Sequence, residues 1–252
     1  MIRLLPVLTA VIVAAGWWLL ALRYPPALLP SPAEVVASSW LNAATLGEAT
    51  LNTARAAVLG LGAAALTGLG GAILFQRSRW LEAALYPYAV LVQTVPIVAI
   101  APLLVVWLGY GLAPAVASAT IVAFFPVLTA SNLGLRAVSA EQLELFRLHG
   151  ATWWQTLRLL RLPGALPFLF SGLRTAAGLS VIGAIVGEFV GSNGFPPSLG
   201  YLVLRSARAA DTGLTFGAIF AAAGLALTFF VIVRQAEHLA IGAWHGDGES
   251  AA

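Results

Sequence analysis

Residues 139–163 read SAEQLELFRLHGATWWQTLRLLRLP, from Ser139 to Pro163, and they form the only long polar-rich stretch in a chain of apolar runs. Ser139 stands three residues before Gln142, and Thr152 three before Gln155. Each pair has the spacing of a capping box, in which the two side chains satisfy backbone N–H groups at a helix start. The first pair predicts a short helix from Glu141 to Leu148. His149 ends it, and Gly150 supplies the left-handed conformation that stops a helix. The second pair predicts a helix running to Leu162 and closed by Pro163. Trp153, Leu157 and Leu160 share one face of it; Trp154, Arg158 and Arg161 share a neighbouring one. Two helices this short cannot span a bilayer. They are either an interfacial linker, with tryptophans and arginines at headgroup level, or a docking element for a soluble partner.

Composition sets the surroundings. The chain has 252 residues, 60% hydrophobic and 9% charged, against about 25% charged in a soluble globular domain. Its apolar residues come in runs long enough to make lipid the solvent. There is no cysteine, which excludes disulfides and thiol chemistry. The basic side chains are all arginine; without lysine the chain cannot carry a standard Walker A loop. If ATP drives the process, another chain hydrolyses it. The net charge of +3 is spread between apolar runs and forms no basic stripe, so no nucleic-acid partner is expected.

Outward from the polar stretch, about six spans are expected in an all-α membrane protein. The first, within residues 1–24, runs from Leu4 to Leu22; it resembles a signal peptide but approaches spanning length and ends in Arg23-Tyr24-Pro25-Pro26 rather than a small-residue cleavage site. Residues 25–52 read as a loop and an interfacial helix around Glu34 to Trp40. The core follows over 53–238. Its second span, Thr53 to Phe75, carries small residues at every fourth position (Gly60, Ala64, Gly68, Ala72), which is either a close-packing ladder or plain alanine richness. The third, Leu81 to Leu108, is broken by Pro87, Pro96 and Pro102. Gln93-Thr94 at the middle break either lines a pathway or patches the backbone around Pro96. The fourth runs from Ala113 to Leu135, the fifth from Ala165 to Val190, the sixth from Leu214 to Val233. Residues 239–252 read as a tail.

Arg3, Arg77, Arg79, Arg136, Arg147, Arg158, Arg161 and Arg234 fall on one side if both termini are cytoplasmic, against Arg23, Arg205 and Arg208 on the other, with Arg55 near the start of the second span. That bias places 139–163 in the cytoplasm. Glu188 is the notable carboxylate within an apolar run, and so a candidate for a role in transport. It shares a face with Gly172, Ala176, Ser180 and Ala184, which points it toward protein, where a structural hydrogen bond would also account for it. Arg174, on the same span, is expected to snorkel. His149, His238 and His245 lack metal-ligand spacing.

The polar stretch resembles the signature of binding-protein-dependent ABC importer permeases: Glu-Ala-Ala, three residues, Gly, nine residues, Ile-x-Leu-Pro. Here it reads Glu144-Leu145-Phe146, Gly150, Leu160-Arg161-Leu162-Pro163, with spacing preserved and Leu145, Phe146 and Leu160 departing in identity. Leu28 to Pro32, Pro96 to Gly111 and Glu188 to Leu202 resemble the nitrate/sulfonate/taurine branch, from which Phe195-Pro196-Pro197 departs as an insertion. The resemblance implies a type I importer permease fold in the bacterial inner membrane, with residues 139–163 as coupling helices. Glu144, Leu145, Phe146, Gly150, Ala151, Leu160, Leu162 and Pro163 would dock the ATPase subunit, which would bind ATP and Mg; no cofactor is implied for this chain. It further implies a periplasmic binding protein, a second permease copy in a homodimer, and alternating-access import of a small polar solute such as nitrate, a sulfonate, taurine or a pyrimidine precursor. Gln93, Thr94 and Glu188 are the candidates along its path. The competing readings are a stand-alone secondary transporter or channel, which would need internal repeats and coupling charges, and an intramembrane enzyme, for which no catalytic constellation is apparent.

Overall fold

The computed structural model describes residues 5–194 and 196–245. These form eleven α-helices and one π turn, with no strand among the described residues. Helices α1 (Leu5–Ala21) and α2 (Pro32–Leu41) precede the long α3 (Ala43–Arg77). Ser31 and Glu34 make a capping box at the start of α2. α3 begins ten residues before the expected span at Thr53, so the core starts inside the segment expected to be loop.

Helices α4 (Arg79–Thr94) and α5 (Ile97–Leu108) follow, bent by 100° at Val95-Pro96. Only one of the three prolines breaks the helix: Pro87 and Pro102 lie inside α4 and α5. α6 (Leu112–Arg136) and α9 (Leu162–Gly191) form the central pair. A Cβ on Gly172 would come within 2.6 Å of Ala130 Cβ, on Gly183 within 2.7 Å of Ala119 Cα, and on Gly187 within 2.6 Å of Ala115 Cα. The two helices therefore run in opposite directions with their backbones in contact, the packing that drives association in lipid. α3 lies on the other side of α6. Ala64 and Ala72 are fully buried, a Cβ on Gly60 would overlap Ala119, and one on Gly68 would lie 3.0 Å from Val127 and Leu128. The small-residue ladder is thus a packing surface.

α10 (Leu199–Arg208) and α11 (Thr212–His245) complete the chain. Arg174 pairs with Glu237 at 3.4 Å, so it holds α9 to α11 rather than simply snorkelling. Arg136 pairs with Glu82, which also accepts from Asn132 Nδ2 at 3.3 Å. α11 continues through His245, past the expected start of the tail at 239; residues 246–252 and Phe195 lie outside the described residues.

The helices account for most of the expected spans among the described residues. α3, α6, α11 and the continuous helical stretch Trp153–Gly191 are each long and apolar enough to cross a membrane, and the bent α4–α5 pair is a fifth if its two halves are taken as one broken span. α1, whose described part begins at Leu5 and has 17 residues, is a shorter apolar helix at the low end of spanning length.

Candidate functional site: a helical corner and a buried carboxyl

Both predicted caps form. Ser139 Oγ accepts the Gln142 N–H at 3.3 Å and Gln142 Oε1 the Ser139 N–H at 3.4 Å, opening α7 (Ala140–Leu148). Glu141, in its first turn, is held below the usual carboxylate range by its own backbone N–H and by the Ser139 hydroxyl. At the other end Gly150 has φ +69°. The Ala151 N–H reaches Phe146 O and the Gly150 N–H reaches Arg147 O, each at 3.0 Å. This is a Schellman ending, which needs a left-handed residue at that position. Thr152 and Gln155 cap α8 (Trp153–Thr156) reciprocally, at 3.3 and 2.7 Å.

Pro163 does not close the second helix. A π turn at Leu157–Arg161 leads directly into α9, with the Leu162 N–H bonded to Leu157 O. In a regular α-helix the proline ring would press on the carbonyl four residues back. The wider turn just before it carries the chain past that point without a break.

The corner is anchored from below. Leu157 is buried in a cluster with Phe75, Leu135 and Ala165, and Trp153 and Leu162 pack against it. Arg161 donates to Gln76 Oε1 at the end of α3 and to Leu135 O at the end of α6, the latter at 3.3 Å. The Arg77 guanidinium lies 5.6 Å over the Trp153 ring. The Arg161 and Arg77 ties were not legible in the sequence; the only local signal for them was the face shared by Trp153 and Leu157.

The outward surface is apolar where solvent would otherwise favour charge. Leu145 is 54% exposed, Leu148 79%, Trp154 69% and Leu159 64%. Glu144, His149 and Gly150 are exposed beside them. A cavity of about 330 Å³ between α7 and α8 is lined by Leu145, Phe146, His149, Ala151, Gln155 and Leu159. Leu160 and Pro163 are half-buried instead and line a second cavity, of about 310 Å³, against Ala240 and Ile241 of α11. So of the eight expected docking residues, Glu144, Leu145, Phe146, Gly150 and Ala151 cluster at the corner, while Leu160, Leu162 and Pro163 face the chain's own helices.

The three expected pathway residues are not brought together. Glu188 is buried, with its Oε2 accepting from Thr53 Oγ1 and from the Gly200 N–H, both at 2.9 Å. Gln93 and Thr94 are exposed at the end of α4. Thr94 Oγ1 donates to Leu91 O at 2.8 Å, a carbonyl that also accepts the Val95 N–H at 3.3 Å.

The model of the family described as "Binding-protein-dependent transport system inner membrane component" matches residues 56–240. A riboflavin transport system permease protein of Chloroflexus aurantiacus is 40% identical over 86% of this chain and 81% of its own length. A formylaminopyrimidine transport permease protein of Halalkalibacterium halodurans is 33% identical over 85% of each. A putative aliphatic sulfonates transport permease protein of Bacillus subtilis is 31% identical over 81% of this chain and 74% of its own. Among solved structures, an inward-facing MetNI methionine ABC transporter chain superposes with a TM-score of 0.65 at 18% identity, over 78% of this chain and 96% of that one. The chain therefore belongs to the binding-protein-dependent transport inner membrane components, as a multi-pass permease subunit of an ABC importer.

Proposed function

We propose that two identical copies of this permease enclose a path for a small polar solute, in the class that spans sulfonates and nitrogen heterocycles. A periplasmic binding protein delivers the solute. A separate cytoplasmic subunit holds ATP and Mg and docks on the corner between α7 and α8, and both termini of the permease lie on that same cytoplasmic side. ATP binding favours one of two global states of the complex, and a rigid docked element passes that difference to the spans.

The observation that carries the docking reading is the corner's construction. Gly150 turns the chain between two capped helices, exposed leucines and Trp154 face outward, and Arg161 fastens the element to α3 and α6. An interfacial linker would need no such attachment to two spans. The solute class rests on the named solutes of the similar permeases.

Co-purification tests it. The chain is expressed with its neighbouring ATP-binding subunit, and wild type is compared with Glu144→Ala and Gly150→Asp. The wild-type complex is expected to hold together in mild detergent, and both variants to lose the subunit or its coupled ATP hydrolysis while inserting normally. Variants that keep full coupling would remove the corner from the docking site.

A further inference from the structure

We infer that the break between α4 and α5 faces water, and that Gln93 meets the solute on its way through. The inference rests on the reading above, in which two copies enclose the path, and it names the surface each copy contributes. α4 starts directly after the Arg77–Arg79 turn and has 16 residues, a length of about 24 Å. That is less than the ~30 Å thickness of the hydrocarbon, so the 100° bend lies inside the membrane. Backbone that leaves its helix at that depth is not tolerated against lipid; it must be buried in protein or line a water-filled cavity.

Within this chain the break is not buried. Gln93, Thr94, Val95 and Pro96 are all exposed. Pro96 brings no N–H, and the last carbonyls of α4 and first amides of α5 have no partners within their own helices. The Thr94 hydroxyl serves the Leu91 carbonyl, which leaves Gln93 as the side chain with an amide to offer. An amide both donates and accepts, so it can meet either a donor or an acceptor group on a polar solute.

The chain has no cysteine, so a single introduced thiol reports its own surroundings. Gln93→Cys and Val95→Cys are each compared with Val13→Cys, on the apolar α1 where Val13 is 70% exposed, in the assembled complex. The probe is a charged, membrane-impermeant methanethiosulfonate, which reacts with the thiolate form and so needs water at the site. Both break positions are expected to label on the order of tenfold faster than Val13→Cys. Labelling of both at the Val13→Cys rate, with the ATP-binding subunit still attached, would place the break against lipid or in a dry contact and overturn the inference alone. A wild-type chain that holds no ATP-binding subunit would remove the two-copy reading and this inference with it.

Discussion

Glu188 on α9 accepts the Gly200 N–H of α10 at 2.9 Å, across twelve residues of chain. The same oxygen accepts from Thr53 of α3, and Thr53 Oγ1 in turn accepts the Leu199 N–H at 2.9 Å. α10 receives no cap from its own Ser198 side chain. Its first-turn amides, which lack helical partners, are capped instead by side chains from two membrane-spanning helices. Glu188 therefore ties α3, α9 and α10 together, which is a structural reason for a carboxyl within a span.

Removing that acceptor should destabilise the fold. Glu188→Ala leaves the Gly200 N–H and the Thr53 hydroxyl buried without their shared partner, at about 1–3 kcal/mol for each group. Glu188→Gln keeps one acceptor oxygen in place and should lie close to wild type. Thermal unfolding of the detergent-solubilised protein measures this. A Glu188→Ala protein that melts with wild type would mean the tie carries no stability.

The partner position is sterically closed. A Cβ on Gly200 would lie 2.6 Å from Ile185 O and 2.7 Å from Glu188 Cβ. Gly200→Ala should cost about 1–3 kcal/mol by overpacking and displace α10. The same unfolding measurement checks the stability, and faster protease cleavage near Arg205 would report the displacement.

Ala210 offers the opposite sign. It follows α10 with φ +55°, its N–H bonded to Ala207 O and that of Asp211 to Ser206 O. This is a second Schellman ending, with alanine where glycine is favoured. The left-handed conformation costs an L-residue about 1–2 kcal/mol, partly offset by the greater freedom glycine has when unfolded. Ala210→Gly should stabilise the fold by about 1 kcal/mol or less and so raise the melting temperature slightly. A fall would show that the Ala210 methyl makes contacts that outweigh the strain.

Gly150 separates backbone from bulk. A Cβ there meets nothing within 4 Å, so only φ resists substitution within this chain. Gly150→Asn should preserve the corner, because asparagine tolerates this region, whereas Gly150→Val should strain it by about 1–2 kcal/mol or more. ATP hydrolysis coupled to the permease should follow the same order: wild type, then Asn, then Val. Equal loss in both would point to a close approach by the partner rather than to backbone geometry.

The sequence by itself determined the corner. Ser139 with Gln142, Thr152 with Gln155, and Gly150 after His149 each act within a few residues, so their geometry follows from spacing alone. The four-residue spacing of small residues on α3 and α9 was visible too, but burial of Ala64 and Ala72 was needed to tell a packing face on α3 from alanine richness. Tertiary structure alone decided the rest. Which proline breaks a helix depended on how the neighbouring backbone was repaired: Pro96 bends the chain, while Pro87, Pro102 and Pro163 do not. That Glu188 holds α10 to α3 was decided by Thr53, 135 residues away, and by an amide on α10. Such partners are chosen by packing between helices, and the order of residues along one helix carries no record of what is packed against it.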